Sequence, residues 1–356
     1  MENPRCFEMF QMACSSKRTR ETYTQLLDLF LKWANKDYES LLVLSDSELT
    51  VLLEDYMMYC KRRYARAGIR GRFASIVKFL FVNDRVVNKK KLMMFLPEKL
   101  KTEQRAITTE EICTMLAYCG SKRNLAIVHV FSAMGIRPEA LADLRIRDIE
   151  EMSDGYTSVI VYAGSNNELQ SFYHSEVTKA VNDYLDERKQ EGELLKPESW
   201  LFRQKSFFSN SIGITPLSVN GIESIISNIM KHAGIKRIKM NENRYDLPVC
   251  GGFRNRFNTI FKSNSDIPYV IGEMFSDHKI RMEPSYMFPS KEKLFEEYKK
   301  AVPELIIDEK ERLKQEIKQN KKEAESSKGM KREIADMNKR FDGIEENIKR
   351  LSVKDK

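Results

Sequence analysis

The stretch Ser132-Ala-Met-Gly-Ile-Arg-Pro-Glu-Ala-Leu141 reads as the end of one apolar helix and the start of another, joined by an elbow. Gly135 permits the tight turn, and Pro138 suits a first helical position because its φ is already fixed near the helical value. Arg137 is held between them. A guanidinium between two apolar helices costs free energy unless an anion meets it. A second arginine has a comparable neighbourhood in Cys250-Gly-Gly-Phe-Arg-Asn-Arg-Phe257. There the two glycines are expected to let a ligand approach closely, and Arg254 falls in the first turn of the helix that follows. Guanidinium forks bind phosphate oxygens bidentately, and a helix N-terminus adds a favourable dipole. The third feature is Asp277-His278, followed eight residues after the histidine by Tyr286 in Glu283-Pro-Ser-Tyr-Met-Phe-Pro289.

Around these segments the pattern is mostly helical. Thr108 or Thr109 with Glu111 forms a helix N-cap feeding Ile112, Met115 and Leu116, and a largely apolar helix runs from about Asn124 to Met134. Ser158 to Ala163 is a strand, Gly164 to Asn167 a turn, and Leu169 to Tyr173 the returning hairpin partner. Further helices are expected at about Ser175–Lys189, Val219–Ala233 and Arg254–Lys262. Upstream, apolar residues at helical spacing (Tyr23, Leu26, Leu27, Phe30, Leu31, then Leu49, Leu52, Leu53, Tyr56, Met57) define a helical domain. Ser45 and Asp46 before Glu48 cap its second helix. Gly68 and Gly71 are expected to break the pattern before a third helix around Phe73–Phe81.

Basic residues crowd the helix ends and connector of that domain: Lys61, Arg62, Arg63, Arg66, Arg70 and Arg72, then Arg85, Lys89, Lys90 and Lys91. Clusters of one sign with little acid between them suit the neutralisation of DNA phosphates by counterion release. The polar segment Leu96 to Ile107, with Pro97, reads as a linker. Beyond Pro303 the composition turns to Lys and Glu, and Met330, Ile334, Met337, Phe341, Ile344, Ile348 and Leu351 form a heptad seam. The expected organisation is a helical domain over 1–95, a linker over 96–107, a second domain over 108–304 and a charged coiled-coil tail over 305–356. The expected fold class is mainly α with a small antiparallel sheet.

The chain has 356 residues, 42% hydrophobic and 31% charged, with Lys+Arg 60 against Asp+Glu 52 and a net charge of +8. Such a balance favours an anionic partner. Six cysteines form no C-x-x-C pair and only four histidines could join them, so a structural zinc site is not expected and the thiols read as reduced. The N-terminus has no signal-peptide pattern, and the longest apolar-rich run, Leu125–Ile136, is too short to cross a bilayer. P-loop, G-x-G-x-x-G, H-E-x-x-H and G-x-S-x-G signatures are absent.

Taken together, the arginine, histidine and tyrosine segments resemble the catalytic domain of the tyrosine recombinases, the phage-integrase family, and most closely the integrases of archaeal mobile elements. The resemblance covers roughly Thr108 to Leu305, including Ser290 to Leu305, which looks like the helix after the tyrosine in archaeal members. The N-terminal helical domain matches that family's core-binding domain in length and pattern. The resemblance implies a site-specific recombinase or integrase acting on double-stranded DNA as a dimer or tetramer. Neither metal nor cofactor is implied, nor any membrane, and the implied location is the cytoplasm, at the nucleoid.

Tyr286 would be the nucleophile, Arg137 and Arg254 would clamp the phosphate, and His278 would hydrogen-bond it or assist proton transfer. The basic residues Arg62, Arg63, Arg66, Arg70, Arg72, Lys89 and Lys90 would hold DNA. Two positions depart from the family pattern. The hairpin turn, where the family places a lysine, reads Gly164-Ser-Asn-Asn-Glu168, and the histidine of H-x-x-R is Gly251. Loss of a general acid typically costs about 10²–10⁴-fold. Arg256, Lys262 or a lysine from another loop would be the substitute. The departures also motivate an alternative, a catalytically impaired DNA-binding regulator or architectural protein on the same fold.

Overall fold

The computed structural model describes residues 3–98, 103–204, 215–241, 244–276, 289–308 and 312. The chain divides into two units between Lys101 and Thr102, inside the expected linker.

The first unit is helical: α1 (Arg5–Met12), α2 (Lys17–Ala34), α3 (Tyr38–Leu42), α4 (Asp46–Lys61), α5 (Arg66–Val82) and α6 (Lys89–Met94). Its core is aromatic and aliphatic, with Phe10, Leu27, Phe30, Leu53, Tyr56, Phe73 and Phe79 all buried. Ser45 caps α4 as expected: its hydroxyl accepts from the Glu48 amide at 3.3 Å, and the Glu48 carboxylate accepts from the Ser45 amide at 2.8 Å. The glycines behave differently from expectation. Gly68 and Gly71 lie inside α5, which starts at Arg66 rather than near Phe73. A Cβ at Gly71 would make only ordinary contact with Leu26, at 3.7 Å, so α5 simply carries both glycines within its turns. Arg66, Arg70 and Arg72 are therefore carried on a helix. Arg85 has an internal role, donating to the carbonyls of Leu42 and, at 2.6 Å, Leu44, and pairing with Asp46 at 3.0 Å.

The second unit contains α7 (Thr109–Ala117), α8 (Lys122–Met134), α9 (Pro138–Asp143), β1 (Ile149–Glu151), β2 (Thr157–Val161), β3 (Leu169–Tyr173), α10 (Ser175–Gln190), α11 (Val219–His232), β4 (Lys239–Asn241), β5 (Arg244–Tyr245), α12 (Gly251–Ser263), α13 (Tyr269–Phe275) and α14 (Lys291–Leu305). Strands β1, β2 and β3 form one antiparallel sheet in that order, with Val159 opposite both Ile149 and Ser171. β4 and β5 make a separate two-stranded ribbon.

The fold class expected from sequence, mainly helical with a small antiparallel sheet, is the one observed. α8 is buried along its whole second half, Ala126 to Met134, and packs against α7, α10 and α12. Its all-round apolar character follows from that central place. A second core of Phe172, Phe257, Phe261, Phe275, Phe295 and Tyr298 joins β3, α12, α13 and α14. The Tyr298 hydroxyl, fully buried, donates to the Ala133 carbonyl at 3.1 Å and so ties α14 to the end of α8.

Residues 103–107 belong to the second unit. Arg105 donates to Asp246 at 3.0 Å, to both carboxylate oxygens of Glu111 at 2.8 Å and to the Lys236 carbonyl at 3.1 Å. Ile107 is buried and its amide donates to the Gly252 carbonyl. No helix among the described residues is long and apolar enough to cross a membrane.

Candidate active site

The elbow forms as the sequence predicts. Gly135 ends α8 at φ +56°, and Arg137 occupies the N-cap of α9 with Pro138 in the first turn. A Cβ at Gly135 would sit 2.6 Å from Cβ of Phe257, so α8 ends directly against α12. Arg254, half-buried on the first turn of α12, spans two segments far apart in sequence: Nη1 donates to the Gly135 carbonyl at 3.1 Å and Nη2 to the Ser276 carbonyl. Ser276 is fixed in turn, its hydroxyl 2.6 Å from Oδ1 of Asn258 and 2.7 Å from the Gly272 carbonyl.

Arg254 therefore joins the elbow to the residue immediately before Asp277-His278. His278 and Tyr286 themselves, with Asp277, lie outside the described residues, as does the heptad seam of the tail. Burial pushes the Arg254 guanidinium down to about 10, and the like charge of Arg137 acts in the same direction, while Tyr162 offsets it. Two arginines close enough to repel each other form a cationic pair that an anion would stabilise. A guanidinium has five N–H donors, of which two of Arg254's go to carbonyls, leaving three for a ligand.

Both departing positions are engaged by contacts within the chain. The hairpin turn is closed by the chain itself, with the Gly164 amide donating to the Glu168 carboxylate at 2.6 Å. At Gly251 a Cβ would come within 2.9 Å of Pro248, and at Gly252 one would come within 2.6 Å of Leu247. Both glycines are thus occupied by close packing of the preceding loop, which corrects the expectation that they make room for a ligand. The expected substitutes are also corrected. Arg256 is buried on another face of α12, donating to the Glu304 carbonyl at 2.5 Å and the Thr109 hydroxyl at 3.1 Å. Lys262 pairs with Glu273 at 2.5 Å.

One residue missed by sequence reasoning is Tyr162, at the exit of β2. Its φ of +56° is an unusual conformation for an aromatic residue, and its phenol is close enough to influence Arg254. No sequence pattern announces a left-handed tyrosine. Arg105 was also missed, because it lay in a segment read as linker.

In the first unit, Arg62, Arg63, Arg70, Lys89 and Lys90 are exposed, while Arg66 and Arg72 are half-buried. Arg63 lies 4.2 Å over the Tyr59 ring. Arg66 donates to the Pro97 carbonyl at 2.5 Å, and Arg72 stacks 3.9 Å over Tyr64. The exposed five are the more available to an external anion.

The chain has the mainly helical fold, with a small antiparallel sheet, of solved tyrosine recombinases and integrases. The Tn1549 transposon integrase, solved with transposon right end DNA, has a similar structure, with a TM-score of 0.54 at 13% identity over 83% of this chain and 99% of that one. A lambda integrase dimer bound to a COC′ core site gives 0.51 at 13% identity, over 80% of this chain and 96% of that one. The XerH recombinase bound to its difH substrate gives 0.51 at 16% identity, over 78% of each chain. In sequence, the tyrosine recombinase XerC of Lactobacillus leichmannii is 26% identical over 181 residues, which is 51% of this chain and 55% of that relative. The XerC of Lactobacillus delbrueckii subsp. bulgaricus matches to the same extent. The chain thus spans about half the length of the relatives it matches, and no protein-family model matches it.

Proposed function

We propose that this chain is a site-specific DNA recombinase or integrase that cuts and rejoins double-stranded DNA through a 3′-phosphotyrosine. The observation that carries the reading is Arg254, held to the elbow of Arg137 on one side and to the start of the His278 segment on the other. Such a pair suits the negative charge that builds on the non-bridging oxygens of a phosphodiester under attack.

In this reading the Tyr286 oxygen attacks phosphorus and loses its proton, the bond from phosphorus to the 5′-oxygen breaks, and that oxygen leaves with the electron pair and takes up a proton. An ordinary tyrosine, near pKa ~10, needs cationic neighbours to become a nucleophile. His278 would contact the same phosphate or carry the proton. The hairpin has no lysine to protonate the leaving oxygen, so His278 or solvent would supply that proton. Because the ester conserves the energy of the broken bond, rejoining requires no nucleotide cofactor.

The exposed basic residues of the first unit, Arg62, Arg63, Arg70, Lys89 and Lys90, with Arg66 and Arg72 behind them, would follow the DNA backbone. Pairing of copies on DNA is supported by the dimer described for the lambda integrase. The pattern of Ser290–Leu305 supports a relation to archaeal mobile-element integrases, and the heptads after Met330 support a coiled-coil tail. Action on DNA supports a place at the nucleoid.

The test is covalent trapping on attachment-site DNA carrying a nick beside the cleavage position. The unaltered chain should yield a protein–DNA adduct, and Tyr286→Phe should yield none. Salt-sensitive binding without any adduct would overturn the enzyme reading and leave the non-cleaving regulator.

A further inference from the structure

The residues of the β4–β5 ribbon belong to neither core of the second unit. Its strands are short, with Lys239 opposite Tyr245 and Asn241 opposite Arg244, and the register shifts between Lys239 and Asn241. Two strands of this length are marginal on their own. The base is nevertheless fastened firmly. The Ile238 amide donates to the Asp246 carboxylate at 2.7 Å, and the Asp246 amide returns to the Ile238 carbonyl at 2.9 Å. Arg105 holds Asp246 and the Lys236 carbonyl, and Arg237 donates to the Leu247 carbonyl at 2.8 Å while covering the Tyr245 ring at 4.3 Å. Leu247 is buried against Gly252, so the ribbon springs from the same end of α12 that bears Arg254.

So much anchoring holds up a surface that buries little. Ile238 is 69% exposed, Met240 42% and Tyr245 38%. Over residues 236–245 the sequence carries Lys236, Arg237, Lys239 and Arg244 against Glu242 alone, a net charge of 4 − 1 = +3. The nearest acid at the base, Asp246, is already engaged by Arg105.

We infer that the β4–β5 ribbon is a second DNA-backbone contact, in which Lys236 and Lys239 neutralise phosphates. The inference rests on the reading of the chain as a DNA recombinase and adds to it a surface of the second unit. A contact of this kind is electrostatic and indifferent to base sequence. The net positive charge commits the ribbon to nucleic acid, with Ile238, Met240 and Tyr245 exposed between its cations.

The experiment is fluorescence anisotropy of the full chain with a mixed-sequence duplex across a salt series, comparing the unaltered protein with the Lys236→Ala/Lys239→Ala double variant. The variant should bind more weakly by on the order of tenfold per lysine at low salt, and its plot of log affinity against log salt should be shallower by about 2. The Lys236→Arg/Lys239→Arg variant should keep both affinity and slope. Circular dichroism should be unchanged, because both side chains are exposed.

Equal affinity and slope in the alanine variant, while the unaltered chain binds, would overturn the ribbon contact alone. Lysines that serve only to guard a strand edge would give that result together with aggregation. The same loss on replacing Lys179 and Lys189 of α10 would also overturn it, by showing a simple net-charge effect. Failure of the unaltered chain to bind any duplex would remove the ribbon contact together with the reading beneath it.

Discussion

Arg254 and Arg256 are two positions apart on one helix and have different tasks, which a sequence motif does not reveal. Arg256 is enclosed by Ser132, Thr109 and the Glu304 carbonyl, whereas Arg254 keeps donors available beyond its two carbonyl partners. Lysine cannot reproduce this geometry, because a single ammonium lacks the planar fork that reaches Gly135 and Ser276 while also facing an anion. Arg254→Lys should therefore slow covalent adduct formation by about 10²–10³-fold, the cost of removing one preorganised donor at a developing oxyanion. Duplex affinity should change far less. Single-turnover trapping and anisotropy on the same preparation would separate the two, and an unchanged cleavage rate would contradict the role. Arg137 and Arg254 could be singled out from sequence because glycine and proline mark their settings. Tyr162 could not, since a left-handed backbone at an aromatic residue is imposed by tertiary contacts.

At the level of elements, the junction of α8 with α12 is where fold and site depend on one another. Gly135 needs both its positive φ and its lack of a side chain. Gly120 offers a comparison, with φ +62° and nothing within 4 Å of where a methyl group would stand. Gly120→Ala should cost about 1 kcal/mol, the backbone contribution alone. Gly135→Ala should cost about 1–3 kcal/mol more from overpacking against Phe257. Thermal or urea denaturation of the two variants gives the difference directly, and equal losses would show that Phe257 yields easily. The elbow, the β2–β3 hairpin and the start of α4 were legible in the sequence because local chemistry decides them: glycine at a turn, alternation in a strand, a serine cap. α5 was misjudged because Gly68 and Gly71 look like breakers in one dimension. In three dimensions both sit within a continuous helix packed on α2. The same limit applies to Gly251 and Gly252, whose neighbours Pro248 and Leu247 gave no sign of how closely they pack.

At the scale of the whole second unit, two histidines set a pH limit on stability. His129 and His174 are buried with their Nδ1 atoms unpartnered among the described residues, each about 4 Å from the Glu176 carboxylate. Glu176 is itself occupied by the amides of Ile307 and Asp308, and Arg256 is the nearby cation. Burial pushes His129 down to about 4 and His174, with help from His129 and Arg256, down to about 3. Both are neutral when folded, and the unfolded chain binds their protons first, near the ordinary value of ~6.5. Their contribution to stability is thus complete above that value and is lost progressively as pH falls toward 4 and 3. Urea denaturation followed by Trp200 fluorescence in a Trp33→Phe background should show the second unit weakening between pH 7 and pH 5. His174→Gln should flatten that dependence. A midpoint that does not move with pH would refute the assignment.

The bracing of Arg254 also bears on when the protein becomes able to act. Its two carbonyl partners lie 119 and 22 residues away in the chain, so the guanidinium is aimed only after α8, α12 and α13 have met. Long-range closures of this sort come late in folding. A nascent or partly opened copy therefore carries the side chains proposed to react without the arrangement that would make them dangerous. For a protein proposed to sever DNA strands, folding itself acts as the safety catch.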